Sequence, residues 1–285
     1  MSGTRIAVGL AAMFAASGAE AATIVGVDEL NNLVFFDSAA PGVTARTVAI
    51  SGVPESIAAL DYRPLNNTLY GLGFDRVIYT INTLTGAATA VSGALDIAGT
   101  EFGFDFNPTI DRLRIVSNTN QNYVFNPNDG SLTTATPVAY AAADPNAGAN
   151  PDVVALAYTS STFGAAANST QLYAIDTRQG LLARQANSAG TLDTVGPLGT
   201  ALGSRTSFDI AGSDAFVQNG RRLYSVNLGS GSLTQVGLTD RALFGIAIAN
   251  NAVPETATWA TMILGFAVVG AGLRRRRPTV RVRFA

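Results

Sequence analysis

Between Ala22 and Asn250 the chain consists of short apolar or alternating segments separated by Asn, Asp, Gly and Pro. Alternation with a period of two, interrupted by turn-forming residues, is typical of β-strands joined by tight turns. No segment of this region keeps a helical period over three turns. The pattern therefore predicts an all-β fold.

Short sequence units recur along the same region. One unit places a small or acidic residue between two large apolar residues, and its central residues are Asp61, Asp105, Ala157, Asp209 and Ala247. Another ends in an Asx-Gly type turn, as in the segments 79–86 and 123–130. A repeat of about 40–50 residues with four short strands is typical of a β-propeller blade.

The repeats predict a five-bladed β-propeller. Four blades are expected to begin near Ile57, Phe102, Val153 and Ser207. The fifth blade is composite, with an inner strand at 244–248 and three outer strands at 23–27, 33–36 and 44–50. This sharing of the closing blade joins the two ends of the ring and covers strand edges. A β-sandwich or a solenoid is the alternative, because strand patterns alone do not prove closure.

Residues 1–21 have the layout of a signal peptide. Arg5 supplies a positive charge near the start, and an apolar run follows at 6–16. Ala19 and Ala21 fit the small-x-small pattern of signal cleavage, so we predict cleavage directly after Ala21. A buried first helix is the alternative. The predicted β-propeller domain is 22–250.

Residues 251–285 form a predicted sorting or anchor segment. An apolar run at 257–273 predicts a helix that is short for a bilayer span of about 20 residues. The cluster that follows is Arg274, Arg275, Arg276 and Arg277. The positive-inside rule places this cluster in the cytoplasm and the body of the protein outside. A plain single-pass anchor is the alternative.

The motif Val253-Pro254-Glu255, followed by the apolar run and the arginine cluster, resembles the PEP-CTERM sorting signal of Gram-negative bacteria. Thr256 stands where that motif has its second proline. The resemblance implies cleavage near the motif by an exosortase-type membrane protease. It also implies delivery to the periplasm, the outer surface or the extracellular matrix, with a membrane helix before processing.

The body resembles an exported bacterial propeller family that has no assigned activity, a domain of unknown function. The resemblance covers about 24–249 and rests on the strings "ALDYRPLNNTLYGL", "FGFDFNPTIDRLRIVSNTNQN", "ADPNAGANPDVVALAYT" and "TLDTVGPLG". It implies the propeller fold and an envelope location. It carries over no catalytic residue.

The composition excludes several kinds of chemistry. The sequence contains no His, Cys or Lys, so imidazole bases, thiolate nucleophiles and lysine Schiff bases are all absent. Residues 22–252 hold 18 acidic residues and 11 arginines, a formal charge of −7 within a total of −2. An acidic body disfavours nucleic acid and other polyanions as partners.

The loops that lead into the innermost strands of a propeller gather at one mouth of its central channel. Here these loops carry five charged residues, Glu55, Glu101, Asp152, Arg205 and Arg241. We expect them to surround a ligand site for a sugar, a cation or a carboxylated polymer. Ordinary solvated loops are the alternative.

Two further groups of oxygen-rich residues need an interpretation. Asp61, Asp105 and Asp209 lie between large apolar residues, so we expect hydrogen bonds to backbone amides of neighbouring blades. A carboxylate pair for glycoside hydrolysis is the alternative. Hard oxygen ligands for calcium are offered by Asp144, Asn146, Asn150 and Asp152. Ordinary Asx turns would explain that segment equally.

The leading hypothesis is an exported, non-enzymatic protein of the envelope or extracellular matrix that binds polysaccharide or another surface component. A carboxylate-dependent carbohydrate-active hydrolase, lyase or lactonase, with calcium as a candidate cofactor, is the second. A purely structural surface scaffold is the third. The expected processing partners are signal peptidase and the exosortase-type protease.

Overall fold

The computed structural model describes residues 21–249 and Gly265, and the predicted signal peptide, sorting motif and arginine cluster lie outside these residues. The chain divides into two units, Met1–Asn250 and Asn251–Ala285. Within 21–249 every regular element is a β-strand. The all-β prediction is confirmed for this region.

The strands are numbered in chain order. They are β1 (Thr23–Asp28), β2 (Asn32–Asp37), β3 (Thr44–Ala49), β4 (Ile57–Arg63), β5 (Thr68–Gly73), β6 (Ile78–Ile81), β7 (Ala88–Ala90), β8 (Phe102–Asn107), β9 (Arg112–Ser117), β10 (Asn122–Phe125), β11 (Leu132–Thr134), β12 (Ala139–Tyr140), β13 (Val153–Tyr158), β14 (Leu172–Asp176), β15 (Leu181–Ala186), β16 (Thr191–Pro197), β17 (Thr206–Ala211), β18 (Asp214–Val226) and β19 (Leu233–Ile248).

These strands form four sheets. Two have four strands, in the orders β4-β5-β6-β7 and β11-β10-β9-β8. The third has five strands in the order β12-β16-β15-β14-β13, and the fourth has six in the order β17-β18-β19-β1-β2-β3. Neighbouring strands are antiparallel except β12 and β16. Each sheet is thus built mainly from consecutive hairpins, as the turn-rich sequence requires.

The predicted sharing of the closing sheet by the two ends of the domain is confirmed. β1 pairs with β19 in antiparallel register, with Ile24 opposite Ile248 and Val25 opposite Ala247. β2 and β3 then continue this sheet outward.

Five strand segments line the centre of the molecule. β4 contacts β8, β8 contacts β13, β13 contacts β17, β17 contacts β19, and β19 contacts β4, which closes a ring. We refer to β4, β8, β13, β17 and the part of β19 from Leu243 to Ile248 as the ring strands. The arrangement of the sheets is therefore propeller-like.

The number of sheets differs from the five blades that the repeats predict. The difference lies in the six-stranded sheet, where β18 has 13 residues and β19 has 16. Because Gly220 pairs with Leu243, strands that the repeats assign to two different blades are joined in one sheet. Gly220 has a φ of 59°, a conformation that glycine adopts at little cost.

Apolar side chains form five buried clusters within residues 21–249, four of them between adjacent sheets and one within the six-stranded sheet. One of them packs Phe104 and Phe106 against Tyr70 and Leu72 of the neighbouring sheet. The rings of Tyr70 and Phe106 meet edge to face, with centroids 4.9 Å apart. Because four clusters lie between strands of adjacent sheets, hydrophobic burial holds the ring together.

Small residues let the ring strands approach one another at the axis. A Cβ atom on Gly103 would lie 2.7 Å from Leu156 Cγ, and one on Gly245 would lie 3.0 Å from the Leu60 nitrogen. Equivalent positions in two other ring strands are Ala59 and Ala155, both buried. Larger residues at these positions would force the strands apart.

The predicted apolar helix at 257–273 falls almost wholly outside the described residues. Gly265, which is helical, is the part of it that the structure describes. No helix in the described part of the chain is long and apolar enough to span a bilayer.

Candidate functional site

The ring strands begin together at one end of the axis. A cavity of about 20 Å³ is lined by residues from the first half of all five strands, at 58–60, 102–104, 155–156, 206–208 and 244–246. Their preceding loops therefore converge on this end, as predicted for a propeller mouth. We call this end the mouth.

A depression of about 500 Å³ opens at the mouth. Its lining residues are Glu29, Glu55, Ser56, Phe74, Arg205 and Phe244. Two of the five predicted mouth residues, Glu55 and Arg205, thus belong to one concave site. Phe74 is 49 % exposed, so an aromatic ring faces solvent beside the carboxylates.

Arg205 occupies part of this depression. Its guanidinium carbon lies 4.4 Å from the centroid of the Phe244 ring, and Nη1 lies 3.6 Å from Oε1 of Glu29. The side chains of Arg205 and Glu29 are 60 % and 65 % exposed. Exposed cation–π contacts and exposed ion pairs each contribute no more than about 1 kcal/mol. The arginine is therefore held weakly enough to be displaced.

Glu101 lies close enough to Arg205 and to Asp152 for both of their charges to act on it. Burial raises the pKa of Glu101; the positive charge of Arg205 opposes this rise and the negative charge of Asp152 adds to it. Glu101 is thus the mouth residue whose proton affinity is elevated. Asp152 is partly tied to the fold, because its Oδ2 accepts a hydrogen bond from Thr177 at 2.8 Å.

Arg241, the fifth predicted residue, is engaged elsewhere. Its Nη1 donates to Oδ2 of Asp28 at 3.0 Å, and its Nη2 lies 3.2 Å from Oδ2 of Asp240. It does not line the depression. With Arg241 paired in this way, Arg205 is the cation that the depression itself contains.

The other end of the ring is covered by the loop between β13 and β14. The Gly164 N–H donates to the Pro64 carbonyl at 2.9 Å, and the Ala167 N–H donates to the Pro108 carbonyl at 3.1 Å. Pro64 and Pro108 directly follow β4 and β8, so the loop reaches across two neighbouring sheets. The mouth is consequently the more open end of the axis.

Three aspartates meet on the axis below the mouth. Asp61, Asp105 and Asp209 each place a carboxylate oxygen within 4.8 Å of the others, and all three residues are buried. Each directly follows the cavity-lining part of its ring strand. The corresponding residues of the other two ring strands are Ala157 and Ala247.

Hydrogen bonds explain this grouping. Asp61 Oδ2 accepts from the Phe106 N–H at 2.6 Å, and Asp105 Oδ1 accepts from the Tyr158 N–H at 3.1 Å. Asp209 Oδ2 accepts from the Ile248 N–H. Each carboxylate therefore binds the next ring strand, as predicted. Buried backbone N–H groups need such partners, because no sheet partner reaches them on the axial side.

The same carboxylates serve two further amides. Asp209 Oδ1 accepts from the Ile210 N–H at 2.6 Å, and the Tyr62 N–H interacts with Asp61. Three side chains thus satisfy an amide in every ring strand. The alanines at the two remaining positions leave room for them.

Burial and mutual repulsion raise the proton affinity of the group. Burial raises the pKa of Asp61 and Asp105 well above the usual range, and the neighbouring aspartates raise it further. Burial raises the pKa of Asp209 to about 6, against hydrogen bonds from Ile248 and Ile210. Like charges this close cannot all ionise without cost.

The residues predicted to bind calcium make hydrogen bonds within the protein. The oxygens of Asp144 accept from Asn146 and Thr194, and Asn150 Oδ1 accepts from Asn120. Within the described residues, the axial aspartates are the group of three acidic side chains at ligand spacing. Calcium at the 144–152 loop stays a prediction.

Sequence reasoning did not include Glu29, Phe74 and Phe244 among the site residues. Glu29 and Phe74 lie in hairpin turns that come to the mouth only when the ring closes. Phe244 carried no distinctive signal, because the equivalent position in ring strand β8 is also a phenylalanine, Phe102.

Comparison with known proteins places the chain in an uncharacterised group. A solved structural genomics protein of unknown function from Bacteroides thetaiotaomicron VPI-5482 is similar in fold, with a TM-score of 0.52 and 13 % identity. The similarity covers 81 % of this chain and 68 % of that chain. No curated protein matches. The family model of DUF4394, a domain of unknown function, matches residues 32–247, so the chain belongs to the DUF4394 family.

Proposed function

We propose that this protein is an exported five-bladed propeller whose mouth binds carbohydrate at the bacterial surface. Five blades are supported by the closed circuit of five ring strands and by five apolar clusters, four between adjacent sheets and one within the six-stranded sheet. In this interpretation the six-stranded sheet contains two blades, which meet where Gly220 pairs with Leu243.

Export and sorting rest on the two ends of the sequence. The signal-like segment 1–21 and the segment 253–277, with its PEP-CTERM resemblance, support passage through the inner membrane and release near the motif. Mass spectrometry of the mature protein should find its C-terminus within 253–258. An intact C-terminus that retains Arg274–Arg277 would indicate a stable anchor instead.

The observation that carries the binding function is the depression at the mouth. It is concave, has about 500 Å³ of space, and combines two phenylalanine rings with carboxylates. Sugars present apolar C–H faces and hydroxyl groups, which suit aromatic rings and carboxylate acceptors respectively. The axial aspartates are occupied with backbone amides, so the mouth residues are the ones available to a ligand.

One observation favours catalysis as a second function. The raised pKa of Glu101 keeps a larger share of it protonated at neutral pH, as a general acid requires. Asp152 is the nearby carboxylate that could complete a pair for glycoside cleavage. Reducing-end assays on every glycan that binds would test this, and turnover abolished by Glu101→Gln would establish it.

The binding function is tested with the full-length protein on a glycan array, followed by titration calorimetry of each hit. We expect Phe74→Ala to weaken binding by about tenfold or more, since it removes the exposed ring of the depression. Phe163→Ala is the matched control, because Phe163 is 44 % exposed in the loop at the opposite end. Equal losses in both variants, or no glycan binding at all, would contradict the proposal.

A further inference from the structure

The depression at the mouth has an excess of negative charge. Glu29 and Glu55 line it, and Glu101 lies within electrostatic reach of Arg205 and of Asp152. Arg205 is the single cation among the lining residues. A ligand carrying positive charge would therefore be attracted, and an anionic one would be repelled.

The chain itself places a cation in this site. The Arg205 guanidinium stacks on Phe244 and faces Glu29, so an aromatic face and a carboxylate together hold a positive group. Organic cations are bound by this same combination in other proteins. Because the arrangement is more than half exposed, water screens it and a competing cation can take its place.

We propose that the mouth selects polysaccharides whose sugars carry free amino groups, and that Arg205 occupies the ammonium position until such a sugar displaces it. This proposal rests on the proposed carbohydrate-binding function and names its ligand class. The sugar ring stacks on Phe74, its ammonium group faces Glu29 and Glu55, and its hydroxyl groups reach Ser56. The reaction is binding alone, with no bond made or broken.

The proposal distinguishes amino sugars from sugars of the same shape without charge. N-acetylation of the amino group removes the positive charge and leaves the pyranose ring unchanged. A glucosamine tetramer and an N-acetylglucosamine tetramer therefore form a matched pair of probes. A galacturonate tetramer supplies the opposite charge.

The experiment titrates the full-length protein with the three tetramers at pH 5.5 and low salt. We expect the glucosamine tetramer to bind at least tenfold more tightly than the N-acetylated one, and the galacturonate tetramer to bind least. Raising the salt concentration should weaken the first interaction, because exposed charges are screened. Equal affinity for the charged and neutral tetramers would overturn the amino-sugar proposal and leave carbohydrate binding intact.

Variants identify the site and the role of Arg205. Glu55→Gln should lower the affinity for the glucosamine tetramer about tenfold, whereas Asp193→Asn, which changes an exposed acid on β16, should not. Arg205→Gln should leave the affinity unchanged or raise it, because it vacates the ammonium position. A strong loss in Arg205→Gln would show that the arginine binds the ligand directly and would refute its role as an occupant.

Failure of the proposed carbohydrate-binding function would give a different result. If none of the tetramers binds and no array glycan is retained, carbohydrate binding itself is wrong. All three altered residues are exposed, so each variant should fold, and equal melting temperatures would confirm this.

Discussion

The molecule has two groups of carboxylates on one axis, and they differ in almost every physical respect. Asp61, Asp105 and Asp209 are buried, lie within 4.8 Å of one another and accept backbone hydrogen bonds. Glu29 and Glu55 at the mouth are exposed and line an open depression. Carboxylates therefore hold the ring strands together on the axis, whereas the carboxylates at the mouth remain available to a ligand.

This difference shows why a strongly raised pKa is a poor guide to the ligand site here. The axial aspartates have the most strongly raised carboxyl pKa values because burial disfavours their charged form. Their hydrogen bonds nevertheless go to the backbone of the neighbouring ring strand. At the mouth the shift of the Glu101 pKa is smaller, but the residue is only partly buried. The hydrogen-bond partners and the exposure of each carboxylate, rather than its pKa, therefore identify the candidate ligand site.

The largest expected effect is a loss of stability with rising pH. The folded-state pKa of Asp209 is about 6, above the value of about 4 for an unfolded aspartate, so its neutral form stabilises the fold below pH 4. That contribution is lost as the pH rises through 6. At about 1.4 kcal/mol per pKa unit, Asp209 alone accounts for a loss on the order of 2 to 3 kcal/mol. Urea unfolding at pH 5 and pH 8 measures about half of this loss, because the other half occurs between pH 4 and pH 5.

The control for this prediction is Asp209→Asn, which keeps an acceptor oxygen and cannot ionise. Its stability should depend less on pH between 5 and 8 than that of the wild type. Glu101→Gln and Asp214→Asn correct for two carboxyl groups outside the axial group whose pKa burial also raises. If Asp209→Asn and the wild type lose equal stability, ionisation of Asp209 is not the cause.

A somewhat smaller effect is expected when one axial acceptor is removed. Asp105→Ala leaves the buried Tyr158 N–H without its partner, which costs about 1–3 kcal/mol. The measurement belongs at pH 5, where less of the charge repulsion is present to be relieved. Asp105→Asn should retain most of the stability, since its amide oxygen can accept the same bond. Equal destabilisation by both substitutions would mean that the hydrogen bond is unimportant.

The smallest effect on stability is expected at the mouth. Glu55→Gln changes an exposed side chain, so the free energy of unfolding should change by less than about 0.5 kcal/mol at either pH. The comparison between the two carboxylate groups would fail if Glu55→Gln destabilised the protein as much as Asp105→Ala.

Much of the fold could be predicted from the sequence because its repeats record strand positions directly. The ring strands start within one residue of their predicted starts at Ile57, Phe102, Val153 and Ser207. The bonds from the axial aspartates to neighbouring strands were also predictable, since a buried carboxylate needs donors. The six-stranded sheet was not, because the pairing of Gly220 with Leu243 depends on how two segments approach in space.

The candidate site was predicted less completely. Loop position indicated Glu55 and Arg205, and both line the depression. It gave no information about competing ion pairs, so it also indicated Arg241, which pairs with Asp28 and Asp240 and does not line the depression. Phe74 lies in a hairpin turn, where the sequence has no strand periodicity that would indicate a solvent-facing ring. A pattern along the sequence cannot show which side chains of separate loops meet in the folded protein.

The pairing of β1 with β19 has a consequence for how the protein comes to be folded. The first strand of the domain pairs with the last one, so the ring cannot close until nearly the entire chain has been synthesised. Closing such a long loop is entropically costly and makes folding slow. An incomplete chain would keep one edge of β1 unpaired, open to proteases and aggregation. Pairing of β19 with β1 thus makes closure of the ring depend on synthesis of the complete domain.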